Sequence, residues 1–229
     1  MRAALPHMNN LLAQTVASNG FAFIPCHRPD LSTVEAVSLL GTPLTLAGFS
    51  TVQELRPHRA LDAAPNTYSG NFGVGEFPMH TDLAHWAIPP RYLVLRCIQG
   101  ASEVSTGLID GNVLIKKIGS TLLRRTLVQP RRPLGNGKQL LRLLDCLDDY
   151  DVPLLRWDSI YLHPASAESE AVFALVSRQI TSLDRYDAIL LAHGDTLVLD
   201  NWRIIHRRSS VPATAANRLI ERVYVGALH

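Results

Sequence analysis

The chain has 229 residues, 47% hydrophobic and 18% charged, with a formal net charge of +2. Such a chain can bury a sizeable core and does not demand two domains. The charge is too small to imply nucleic acid, no apolar run reaches the roughly 18 residues of a membrane span, and three scattered cysteines make no disulfide framework.

Residues 11–18 read as a short helix, Asn19-Gly20 as a turn and residues 21–25 as a strand. Ser32 is a candidate N-cap with Glu35 three residues on, opening a helix that Gly41 stops. Residues 42–75 are rich in glycine and proline and read as loop. Residues 92–98 form an apolar strand interrupted by Arg96. A helix is expected over 112–127, with Lys116, Lys117, Arg124 and Arg125 on its polar side, then a flexible connection over 130–137. Helical periodicity returns over 166–182. Short strands follow at 188–191, 196–199, 204–206 and 219–225. Helices early, strands late and a helical insertion predict an α+β fold with a central barrel. The expected organisation is one domain over 1–229. Residues 1–65 form its N-terminal support and 66–229 its barrel core, with the insertion at about 108–155. The N-terminus has no continuous apolar signal core, and with Cys26, Cys97 and Cys146 so scattered a reducing cytoplasm is expected.

The chemistry concentrates in three residues. His80-Thr81-Asp82 places a histidine and a carboxylate two apart, on one face if the segment is extended. His206 closes a later apolar strand and can supply a third ligand from across a barrel. Two histidines and one carboxylate leave three positions open on a ferrous ion. The His-x-Asp pair alone is equally a surface loop. The context of His206 is more specific: Gly194-Asp195, an apolar strand, then Asp200-Asn201-Trp202-Arg203-Ile204-Ile205-His206-Arg207-Arg208.

That text resembles the distal histidine motif of the Fe(II)/2-oxoglutarate oxygenases, in the branch with taurine dioxygenase, clavaminate synthase and γ-butyrobetaine hydroxylase. The likeness covers about residues 77–225. It departs at Arg207, where the family usually has a small residue. It implies a double-stranded β-helix, a jelly-roll, cupin-like barrel with flanking helices, with His80, Asp82 and His206 as catalytic iron ligands. Arg218, 12 residues after His206, is then the anchor for the distal carboxylate of 2-oxoglutarate, which a guanidinium fork suits. Arg222 matches a position touching substrate or the metal end of the co-substrate. The plainer alternative for both is a surface arginine. Thr106, 24 residues after Asp82, shares the carboxylate, with Ser105 as the register alternative.

The implied reaction consumes 2-oxoglutarate and O2, releases succinate and CO2, and hydroxylates an unactivated C–H bond of a small polar molecule such as an amino acid or biosynthetic intermediate. Desaturation or cyclisation by the same iron chemistry, or a non-catalytic binding scaffold, are the alternatives. Relatives that chlorinate have a small residue where Asp82 stands, so the carboxylate favours oxygen insertion. For the substrate, Glu76 is a candidate amine acceptor, and Asn71 and Ser69 are candidate hydrogen-bond partners. A glycine-rich turn with no such role is the alternative. The chain is shorter than typical relatives, so the expected lid over the mouth is trimmed. The basic run 116–132 is either a solvated face or a contact for phosphate or a carrier protein. Oligomeric state stays open.

Overall fold

The computed structural model describes residues 5–132, 139–148 and 150–229. The chain opens with α1 (Leu5–Asn19) and β1 (Phe21–Ile24), then α2 (Thr33–Ser38), β2 (Gly41–Pro43) and β3 (Gln53–Leu55). A 3-10 turn at Ala60–Asp62 and α3 (Tyr68–Phe72) lead to β4 (Tyr92–Gln99) and β5 (Thr106–Asp110). Then come α4 (Gly111–Ile118), α5 (Ser120–Arg125), β6 (Leu127–Pro130), β7 (Leu141–Arg142), β8 (Leu144–Asp145) and β9 (Leu154–Leu155). The last part is β10 (Leu162–Pro164), α6 (Ala167–Ser182), β11 (Tyr186–Ala188), β12 (Thr196–Asp200), β13 (Ile204–Arg208) and β14 (Leu219–Leu228).

Period-two patterning builds the main sheet, ordered β1-β12-β4-β14-β2, with β3 also on β14 and every pairing antiparallel. In β4, Leu93, Leu95 and Cys97 turn to one side. There they meet Leu108 of β5 and Ile204 of β13, strands of a second sheet ordered β11-β5-β13. Val94 turns to the other side, under Leu12 and Val16 of α1 and Val37 of α2. Each such leucine or valine contributes about 1.5–3 kcal/mol by leaving water. The chain is thus a mixed α/β fold of antiparallel strands, with helices on the outer face of the main sheet.

Local chemistry explains most boundaries. Ser32 and Glu35 form a reciprocal capping box on α2. Gly41 does not stop that helix, which ends before it; Gly41 begins β2, where a Cβ would strike the Ala227 carbonyl. The helix expected over 112–127 is two helices, because Gly119 adopts φ 99° between them. Its last residue, Leu127, begins β6. The segment at 108–155 therefore carries short strands as well as helices. Most of the connection expected over 130–137 lies outside the described residues. The strand expected over 188–191 is displaced to β11.

Two fully buried arginines tie loops to this frame. Arg96 donates to the carbonyls of His27, at 2.5 Å, and Arg28, at 2.7 Å. Arg156 donates to Arg142 O, Ala84 O, Trp86 O and Ala87 O at 2.6–3.1 Å. Its nearest carboxylate, Asp145, lies 4.0 Å away. Carbonyls, not an acid, therefore satisfy most of this cation. Arg156→Met strands several buried carbonyls, which cost about 1–3 kcal/mol each when unsatisfied. We expect a loss of about 3 kcal/mol, read as a melting temperature lower by roughly 6–12 °C.

Candidate metal centre and co-substrate cavity

His80, Thr81 and Asp82 do not form a strand. His80 pairs with His206 through reciprocal backbone hydrogen bonds of 2.9 and 2.8 Å, and Thr81 N donates to Trp157 O at 2.8 Å. The chain then turns sharply at Leu83, φ 55°. The expectation that strand alternation brings His80 and Asp82 together is corrected. A backbone pairing with β13 and a side-chain clamp do so instead. Asn201 supplies the clamp: its Oδ1 accepts from Asp82 N at 2.7 Å, and its Nδ2 donates to Asp82 O and Pro90 O at 3.0 Å. Asn201 is itself fully buried at the end of β12. This is the physical content of the Asp200-Asn201 pair. Asp195 works similarly upstream, its two oxygens accepting from the backbone of Cys26, Leu191 and Ala192.

The result is three buried donors aimed at one point. His80 Nε2 and His206 Nε2 lie 3.3 and 3.4 Å from Asp82 Oδ1. Two donors at right angles, each about 2.1 Å from one ion, lie about 3 Å apart, so the spacing suits adjacent positions on a metal. Among the described residues this is the one such group of three. His80 Nδ1 lies 2.8 Å from Pro78 O, which assigns the proton to Nδ1 and frees the Nε2 lone pair.

Asp82 Oδ2 is occupied differently. Arg222 Nη1 donates to it at 2.8 Å and the Tyr224 hydroxyl at 2.9 Å, while Arg222 Nη2 donates to Gln53 at 2.6 Å. Burial opposes ionisation of Asp82, but the Arg222 charge and the two histidine hydrogen bonds outweigh it and hold its pKa well below the carboxylate range. Burial, then the charge of His80, lower His206. An ionised carboxylate and a neutral imidazole are the forms a metal takes. Arg222, expected at the substrate or the metal end of the co-substrate, holds the carboxylate ligand.

The triad opens on a cavity of about 780 Å³. On one side Arg218 is 6% exposed, and its guanidinium has no hydrogen-bond partner among the described residues. Burial pushes its pKa down to about 10, so it remains a cation. It lies just before β14, not within it. Thr106 lines the same cavity from the start of β5, whereas Ser105 donates outward to Asp187. Arg208, two residues beyond His206, also lines it; burial and then the charge of Arg218 push it down to about 10.

On the other side Tyr68 stacks on the His80 ring with centroids 4.2 Å apart. Its hydroxyl donates to Asp158 Oδ2 at 2.7 Å. Asp158 is 2% exposed, caps Ile160 N and Tyr161 N through Oδ1, and has no cationic partner among the described residues. His85 lines this side with Nδ1 buried and without a hydrogen-bond partner among the described residues.

Of the substrate candidates, Ser69 lines the cavity. Asn71 lies outside the lining and donates to the Tyr161 hydroxyl at 3.3 Å. Glu76 is turned away, ion-paired with Arg207 beside a separate, smaller cavity. Arg207, noted as the departure from the family text, thus captures the carboxylate proposed for a substrate amine. Sequence reasoning missed Asp158, Tyr224 and Gln53. Of these, Tyr224 alone carried a signal: it shares a face of β14 with Arg222.

No family model matches the sequence. Solved structures do. Over 96% of this chain the fold matches an asparagine oxygenase in complex with Fe(II), 3-hydroxyasparagine and succinate, at 17% identity and TM-score 0.70, covering 79% of that chain. It matches the non-haem iron oxygenase OrfP in complex with Fe and α-ketoglutaric acid at 18% identity and TM-score 0.73, with 96% and 80% covered. The PvcB protein from Pseudomonas aeruginosa matches at 16% identity and TM-score 0.67, with the same coverage. The chain shares its fold with these solved structures, an asparagine oxygenase and a non-haem iron oxygenase among them.

Proposed function

We propose that the chain is an Fe(II)/2-oxoglutarate oxygenase, one domain on a jelly-roll barrel, that hydroxylates a small amine-bearing molecule such as an amino acid. One observation carries this: a buried His-Asp-His triad and a buried arginine with no anion among the described residues face the same cavity. A metal and a carboxylate-bearing co-substrate resolve both. Bound there, iron with 2-oxoglutarate and oxygen supplies the oxidising power for hydroxylation, with succinate and CO2 as co-products.

The protein's part is orientation. His80, His206 and Asp82 Oδ1 hold the metal, and Arg222 with Tyr224 fixes the other carboxylate oxygen. Arg218 and Thr106 receive the distal carboxylate of 2-oxoglutarate. Asp158, a buried carboxylate with no cationic partner among the described residues, accepts the substrate ammonium. Tyr68 and Phe77 wall the cavity and keep water off the reacting centre. Among the described residues no helix is long and apolar enough to cross a membrane. The asparagine oxygenase and OrfP structures holding hydroxylated asparagine and arginine agree with an amino-acid-sized substrate.

The test is a screen of amines and amino acids for substrate-dependent succinate release, with the His206→Ala protein as blank. Release above the blank supports the reading, and none with any member counts against it. For a substrate so found, Asp158→Asn should raise KM about tenfold or more, the scale of one hydrogen bond to a charge. Binding of Fe(II) and 2-oxoglutarate should be unchanged.

A further inference from the structure

We infer that Arg208 is a second arginine for the distal carboxylate of 2-oxoglutarate, and that the same side chain latches the segment 73–77 over the cavity, so that co-substrate binding orders that segment. The inference rests on the co-substrate reading above. Arg208 pairs with Thr106 across the β13–β5 ladder, and it shares a strand face with His206, two residues away. Its side chain is therefore on the co-substrate side of the metal. It lines the cavity with Arg218, and the two guanidiniums repel each other with no carboxylate partner among the described residues. One carboxylate end can accept from both guanidiniums and offset part of their repulsion, since its oxygens offer about four acceptor sites.

The remaining donors of Arg208 make the latch. Nη2 donates to Gly73 O at 2.8 Å and Gly75 O at 2.7 Å, and Nε to Ser209 O at 3.3 Å. The guanidinium lies 3.6 Å over the Phe77 ring, and Phe77 N donates to Arg208 O at 2.9 Å. Nη1 has no partner among the described residues, which leaves its N–H groups for the carboxylate. The latched segment runs into Pro78, whose carbonyl lies 2.8 Å from His80 Nδ1. The contact thus joins the co-substrate's far end to the backbone that orients a metal ligand. Arg208 is a binding and positioning residue, not a proton carrier.

The experiment uses the Fe(II)-loaded protein without oxygen. It is titrated with 2-oxoglutarate and with 2-oxovalerate, which has the same 2-oxo acid end and no distal carboxylate. Affinity is read from the visible band, and the latch from the rate at which a glutamate-specific protease cuts after Glu76. Arg208→Gln should lose about tenfold or more for 2-oxoglutarate, the scale of one charged hydrogen bond, and nothing for 2-oxovalerate. In the wild type 2-oxoglutarate should slow the cut; in Arg208→Gln it should not. Arg208→Lys keeps the charge without the fork. It should hold most of the affinity and lose the protection, which gives a reading should Arg208→Gln fail to fold. Unchanged discrimination between the two oxo acids in Arg208→Gln, or full protection in Arg208→Lys, overturns the inference alone. A wild type that gives no band with 2-oxoglutarate overturns the oxygenase reading and this inference with it.

Discussion

His206→Ala should abolish substrate-dependent succinate release and weaken Fe(II) binding by at least about 100-fold. Groups that only orient a ligand are worth 10–100-fold in metal affinity, and His206 is one of three donors. The variant should still fold, because the backbone pairing with His80 does not use the imidazole. Isothermal titration with Fe(II) under nitrogen checks the affinity, and circular dichroism the fold. The wild-type metal affinity should also fall as pH drops through the histidine range. Burial alone would lower the pKa of His80, but the hydrogen bond and charge of Asp82 outweigh it and raise it in the metal-free protein. A proton on His80 competes with the metal, so acid weakens binding and alkali restores it. Affinity independent of pH from 5 to 8, or unchanged in His206→Ala, would remove the triad from the account.

Arg218→Met should move two quantities in opposite directions. Affinity for 2-oxoglutarate should fall by about 100-fold or more, because a bidentate guanidinium–carboxylate pair comprises two charge-assisted hydrogen bonds of about 1.5–3 kcal/mol each. Stability without ligand should rise by about 1 kcal/mol or more, seen as a melting temperature higher by roughly 2–4 °C. The buried cation has no anion among the described residues, and methionine fills similar space without that cost. Such a trade of stability for binding is what a ligand site produces and a structural ion pair does not. A variant that loses stability would mean that Arg218 serves the fold.

The elements most legible in the sequence are those whose local chemistry and packing agree. The apolar run at 92–98 is a central strand, and the Ser32–Glu35 capping box starts a helix. The helix at 166–182 needed only its Ser166 cap and its periodicity. Where a single glycine set the geometry, pattern reading failed: Gly119 divides a helix that periodicity ran through. The triad was legible because its residues sit in text of distinctive spacing, although alternation along a strand was the wrong cause. The clamp by Asn201 and the grip of Arg222 and Tyr224 on Asp82 are contacts between residues 119 to 142 positions apart. Spacing along the chain cannot express them. Asp158 was invisible for the same reason, a lone residue in unremarkable text. Glu76 was misdirected because its partner, Arg207, acts from β13, far along the chain.

The central claim is that iron and 2-oxoglutarate share this cavity. The most direct measurement is an anaerobic titration of the Fe(II)-loaded protein with 2-oxoglutarate, followed by visible absorption. A weak charge-transfer band that saturates with 2-oxoglutarate, and is lost in both His206→Ala and Arg218→Met at the same concentrations, is the predicted result. No band in the wild type, or an undiminished band in both variants, would contradict it.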